Sequence, residues 1–152
     1  MVNKYEQAAH TLLTENFVIH KYFSSGMSGR AWLGKRIIRA PQPKSPRSFQ
    51  ILAHEVGHIV QGNIKPQCLE EYGAEVFSFE QMKRFGFKIP KRVKDVSDRH
   101  ISYGLAQALN RGIKKVPAEL KPYMKFIKTD TIHTVGMCAG ERYSTTKKWY
   151  HI

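Results

Sequence analysis

Five consecutive residues, His54-Glu55-Val56-Gly57-His58, combine two side chains that bind divalent metals with one that can move a proton. In a helix, residues four apart share one face about a turn from each other, so both imidazoles converge on a single ion. Glu55 projects close to that face, where it deprotonates a water and does not ligate; this makes it the candidate catalytic base. A tetrahedral site that keeps one position open needs a third protein ligand. Glu71 follows His58 by thirteen residues, enough for a turn and an antiparallel return, and Glu70 beside it is the alternative ligand. Glu75, four residues further on, is placed to accept a hydrogen bond from the distal nitrogen of a ligating histidine. Four of the twelve acids of the chain lie between residues 70 and 80. A merely solvated face does not require that concentration, and metal binding offers a reason for it. Two histidines, a glutamate and a water form a hydrolytic set with Zn2+ as the expected cofactor.

Hydrolysis also needs a donor for the developing oxyanion, and His100, Tyr103 and His133 are the candidates outside the motif. Cys68 and Cys138 stand seventy positions apart with no second cysteine at ligand spacing, which disfavours a disulfide framework and a cysteine zinc site. Cys68 is expected to pack at a helix start. The N-terminal stretch is polar and the apolar runs are far shorter than a membrane span, so a cytoplasmic protein with no membrane partner is expected.

The elements that must position these residues follow from periodicity. Asn3 caps a helix ending near Asn16, and Phe17–Phe23 reads as a strand. Ala31–Leu33 and Arg36–Arg39 complete a small antiparallel sheet, closed by Pro41, Pro43 and Pro46. Ser48 opens the motif helix, whose apolar positions Phe49, Leu52, Val56, Ile59 and Val60 run to Gly62. A second long helix spans roughly Gln67 to Phe85. A third begins at Ser97 and ends at Gly112, and Pro117 starts another reaching about Ile127. The fold class is α+β: a small antiparallel sheet packed on a helical bundle in a minimal zincin-like arrangement, with extra C-terminal helices. Residues 1–128 form the catalytic-type domain with its helical extension, and residues 129–152 show no clear period.

The run from Ser48 to Gly62, which contains the pentapeptide, resembles the active-site helix of the ImmA/IrrE-type zinc metallopeptidases. Glu71-Tyr72-Gly73-Ala74-Glu75-Val76-Phe77 is similar to the second-helix signature of that family, and the preceding helix and small sheet match its layout. The resemblance covers residues 3 to 85. It implies a gluzincin-like His/His/Glu site with His54, His58 and Glu71 as ligands, Glu55 as base, and a protein or peptide substrate, in some relatives a DNA-associated regulator. Beyond Phe77 the chain departs from the pattern, with Ser78 for the usual alanine and Gln81-Met82-Lys83-Arg84 in place of an apolar stretch. The metzincin pattern does not apply, because Gly62 is followed by Asn63 and Ile64 and not by the spacing that leads to a third histidine.

The formal charge is +13. From Phe17 to His54 there are seven Lys or Arg and no acid. Lys83, Arg84, Lys88, Lys91, Arg92 and Lys94 form a second acid-free run; both runs can attract phosphates and are candidate contacts for nucleic acid or an acidic partner, the second also for substrate, with Phe85, Phe87, Trp149 and Tyr150 as stacking surfaces. Arg30, Lys35 and Arg36, near the expected edge strand, are placed to orient an extended peptide. The leading expectation is therefore a zinc-dependent peptidase acting on a specific protein partner. The alternative is a nucleic-acid-binding or regulatory protein with a structural or catalytically silent zinc.

Overall fold

A computed structural model describes residues 2–132 and 140–145. Its elements run α1 (Lys4–Glu15), β1 (Ile19–Phe23), β2 (Arg30–Trp32), β3 (Ile37–Ala40), α2 (Pro46–Gln61), α3 (Gln67–Arg84) and α4 (Lys91–Asn110). A 3₁₀ helix (Ala118–Phe126), β4 (Ile127–Ile132) and β5 (Gly140–Thr145) follow. The class is α+β, as the sequence pattern implies.

Local chemistry sets the ends of these elements. Asn3 Oδ1 accepts from the amides of Tyr5 and Glu6, both at 2.9 Å, and caps α1. Phe17 then takes a left-handed backbone, φ 55°, so the first strand starts at Ile19, two residues later than the apolar run suggests. Arg36 closes that turn by donating to the carbonyls of Asn16 and Phe17. It braces the fold and is not free to hold a substrate. The motif helix starts earlier than its apolar periodicity indicates. Ser45 caps it, its hydroxyl accepting from the Ser48 amide at 3.2 Å while Ser48 Oγ accepts from the Ser45 amide at 2.9 Å, with Pro46 at the first turn. Likewise α4 begins at Lys91 behind Pro90, because its buried stripe Val93, Ser97, Ile101 and Leu105 extends one turn ahead of Ser97.

The three-stranded sheet has the order β1-β3-β2 and is mixed, correcting the expected all-antiparallel arrangement. β2 is antiparallel to β3, but β1 runs parallel to it, because the chain crosses to the far edge through β2 before filling the centre. Ile38 and Ala40 of β3 are buried beneath α2 in a core with Leu12, Phe49, Leu52, Val56 and Met82. Phe87 is buried there and Phe85 packs against the same cluster, so neither is a stacking surface. A second cluster gathers Cys68, Ile101, Leu105, Ala108 and Leu120 between α3, α4 and the 3₁₀ helix. Cys68 thus packs at the start of α3, as expected. Part of the C-terminal segment forms a hairpin: β4 pairs antiparallel with β5, and Asn110 fastens it to α4 by side-chain bonds of 2.8 and 2.7 Å to the Tyr143 carbonyl and amide. No helix among the described residues is long and apolar enough to cross a membrane.

Candidate metal centre

The site depends on how closely α2 and α3 approach. A Cβ on Gly57 would stand 3.0 Å from Phe77 Cδ1 and 3.2 Å from Ala74 Cα. Only glycine at this position lets the helices pack backbone to side chain, and that spacing carries the acids of α3 to the histidines of α2. Glu71 lies with Oε2 3.2 Å from His54 Nε2 and Oε1 3.4 Å from His58 Nε2. The two Nε2 atoms are 3.0 Å apart. Donors held at tetrahedral zinc distances of about 2.0–2.1 Å are separated by about 3.3 Å, so the triangle already has the dimensions of one face of such a site. His54, His58 and Glu71 together form a group that can hold a metal ion.

Both distal nitrogens are covered by carboxylates. His54 Nδ1 lies 2.9 Å from Glu75 Oε1, and His58 Nδ1 lies 3.2 Å from Glu70 Oε1. The His54 contact is close in distance but not aligned as a formal hydrogen bond; at this separation we read it as a charge contact that fixes the ring. The two Nε2 atoms and the Glu71 carboxylate meet so closely that a positive charge belongs among them: in the metal-free protein the proton held by His54 supplies it, and a bound metal ion would take its place. Glu70, the alternative ligand by sequence, therefore supports His58 from behind. Its Oε2 also accepts from the Ile64 amide at 3.2 Å, which ties the α2–α3 turn to the site.

The support extends inward to residues that carry no motif signal. Gln50 donates to Glu75 Oε2 at 3.0 Å and to Ser78 Oγ at 2.9 Å. Ser97 of α4 donates to the same Glu75 oxygen, and Arg47 donates to Gln50 Oε1 at 3.0 Å. Ser78, where the sequence departs from the family pattern, is thus a working member of this network. Gln50 sits one helical turn ahead of His54, the only signal that could have singled it out.

The electrostatics follow the geometry. Burial works against a charge on His54, but the carboxylates of Glu71 and Glu75 beside its two nitrogens outweigh it and push the pKa up to about 10. Burial likewise opposes ionisation of Glu71, yet His54 and His58 hold its carboxyl far below the usual range. Glu75 is lowered for the same reason, with burial overcome by His54 and Ser97. Glu55 moves the other way: burial raises it, with Glu71 and Glu75 adding, against the pull of His54 and His58. A carboxylate shifted upward is better matched to taking a proton near neutral pH.

Glu55 lines the same cleft as the three donors, a space of about 530 Å³. Gly29, at the mouth of β2, is pressed against it: a Cβ there would stand 2.5 Å from Glu55 Oε1. His100 also lines the cleft, the only oxyanion candidate brought there among the described residues. Burial lowers its pKa against the pull of Glu75, with Arg47, His54 and Arg99 adding to the lowering. Tyr103 is half exposed and outside the lining, since it lies about 200° around α4 from the buried Ile101. His133 and the aromatic pair Trp149 and Tyr150 fall outside the described residues. None of Lys83, Arg84, Lys88, Lys91, Arg92 and Lys94 lines the cleft. Arg84 is paired with Glu15, Lys91 with Asp95 at 2.7 Å, and Lys94 with Asp98 at 3.3 Å. No family model, curated protein or solved structure matches this chain.

Proposed function

We propose that this protein is a zinc-dependent peptidase acting on a protein partner. One observation carries the reading: three buried or half-buried electron-pair donors, each distal imidazole nitrogen backed by its own carboxylate, converge beside a glutamate whose pKa is raised. The resemblance of the two helical motifs to the ImmA/IrrE-type peptidases supports it, and the suggestion of a DNA-associated regulator as substrate rests on that resemblance. Zinc held by His54, His58 and Glu71 would supply a Lewis acid for the scissile carbonyl and lower the pKa of a water. Glu55 takes the proton of the attacking water and delivers it to the leaving amine. His100, on the cleft wall, donates to the developing oxyanion. The free edge of β2, at Arg30–Trp32, borders the cleft and offers main-chain groups to which an extended peptide adds as a strand.

The test is elemental analysis joined to a cleavage assay. Wild type and Glu55→Gln should each carry about one zinc per chain, and Glu71→Ala should carry far less. Wild type should cleave a candidate partner, while Glu55→Gln loses cleavage by about a hundredfold or more. Equal cleavage by Glu55→Gln would defeat the mechanism, and absence of zinc after reconstitution would defeat the site.

A further inference from the structure

The strand register sorts the residues of the small sheet onto two faces. Ile38, Ala40 and their neighbour Ala31 turn toward α2. The opposite face presents two rows across the strands: Ile19, Ile37 and Trp32, then Tyr22, Arg39 and Arg30. Ile19, Tyr22, Arg30 and Arg39 are exposed, and Trp32 and Ile37 are half-buried between them. Ile19 is 62% exposed and Tyr22 44%, and Phe23 at the end of β1 is 62% exposed. Large apolar side chains left open together mark a binding surface. Tyr22, Phe23, Trp32, Lys35, Ile37 and Arg39 enclose a shallow depression of about 440 Å³.

Cations are interleaved with these rings. The Lys21 ammonium lies 5.4 Å from the Tyr22 ring centre, and the Arg30 guanidinium 5.0 Å from that of Trp32. The Tyr22 and Trp32 rings themselves are 5.6 Å apart. Lys21, Arg30, Lys35 and Arg39 form no ion pair among the described residues, and no acid occurs between Phe17 and His54. A protein-binding patch places its charges at the rim around an apolar centre. Here Arg39 occupies the central strand, between Tyr22 and Arg30. Aromatic faces alternating with unpaired cations instead match a chain that carries a flat π-surface and a negative charge at each repeat.

We propose that this sheet face is a platform for single-stranded nucleic acid, with bases stacking on Tyr22 and Trp32 while Lys21, Arg30, Lys35 and Arg39 meet the phosphates. A duplex hides its base faces, so single strands are preferred. The surface lies on the opposite side of the sheet from α2; of its four cations Arg30 alone also lines the metal-centre cleft, and the inference does not depend on a metal being bound there.

Fluorescence anisotropy with a labelled oligothymidylate tests it. Wild type should bind with affinity falling on log–log axes with a slope of about −3 in salt, for four phosphate contacts. Tyr22→Ala should weaken binding about tenfold. Lys35→Glu combined with Arg39→Glu, both at exposed positions, should roughly halve the slope, while Lys83→Glu with Lys88→Glu leaves binding within about twofold of wild type. Circular dichroism and zinc content of each variant should match wild type, and the exposed charge pair carries the test if Tyr22→Ala misfolds. The proposal is overturned if wild type fails to bind at about 0.1 M salt, or if the Lys83/Lys88 control loses as much as the sheet variants. Displacement of the oligonucleotide by polyglutamate at matched charge would overturn it too, assigning the face to an acidic protein.

Discussion

The acidic first half of α3 and the basic face of the sheet are two local concentrations of opposite charge. Glu70, Glu71 and Glu75 are drawn in against two histidines, each acid committed to a nitrogen within 3.4 Å. Lys21, Arg30, Lys35 and Arg39 stand in solvent over aromatic rings or alone. One pole is built by close packing and preorganised to hold a cation. The other is built by leaving a sheet face uncovered and is suited to anions. Like charges crowded in a buried place need a metal or protons to compensate them, whereas crowded cations on an open face are tolerated because water screens them.

The two poles should therefore respond differently to substitution. Removing a donor at the acidic pole has the largest expected effect: Glu71→Ala should weaken zinc binding by more than about a hundredfold, beyond what loss of a supporting residue causes. Competition with a chromophoric chelator measures it, and a variant that holds zinc as tightly as wild type would return Glu71 to the role of a surface acid. Gln50→Leu, which strips Glu75 of a donor, should cost about tenfold or more in the same assay while leaving the ligands in place. Gly57→Ala should lower unfolding stability by about 1–3 kcal/mol, because the new methyl has no room against Phe77 and the Ala74 backbone. Unchanged denaturation midpoints would show that α2 and α3 tolerate a wider spacing.

The metal-free protein should also report its acidic pole through pH. His54 titrates near 10 in the fold against an ordinary value of about 6.5, so its contribution is complete below about pH 6.5 and is lost as pH rises toward 10. Glu71 and Glu75 are depressed, so theirs is present above about pH 4.3 and is lost on acidification. Stripped protein should melt highest between those limits, and saturating zinc should remove the alkaline decline because the proton must leave His54 for the metal to bind. A melting temperature that is flat from pH 6 to 9 without metal would contradict this. The smallest effect belongs to the basic pole: Lys35→Glu with Arg39→Glu should move stability by less than about 0.5 kcal/mol, since neither side chain is packed or paired.

How legible each pole was depended on the range of the interactions that build it. The pentapeptide announced His54, Glu55 and His58 because helical periodicity is local, and the return distance to α3 made Glu71 a candidate. Whether Glu70 or Glu71 meets the two Nε2 atoms turned on how α3 is rotated against α2, which no spacing rule contains; Glu70 meets His58 at Nδ1 instead. Gln50 and Ser97 carry no motif, and their meeting at Glu75 depends on three helices packing together. The basic run from Lys83 to Lys94 looked the more promising nucleic-acid surface. Folding spends three of those six cations on ion pairs and draws Phe85 and Phe87 into the core. The sheet residues gained in significance because pairing aligns Tyr22 with Arg39 and Arg39 with Arg30, residues distant along the chain.

From sequence alone, this protein was determined to have an α+β order, helices at its metal-type motif, a packed core and a strongly uneven charge. Each of these follows from periodicity, capping and composition, which act over a few residues. Tertiary structure decided which acid faces the histidines, that the sheet is mixed, that Gly29 confines Glu55, and which face of the sheet stays open. Those outcomes depend on how far apart two backbones come to rest, and that distance is set by the packing of side chains that are remote in the chain.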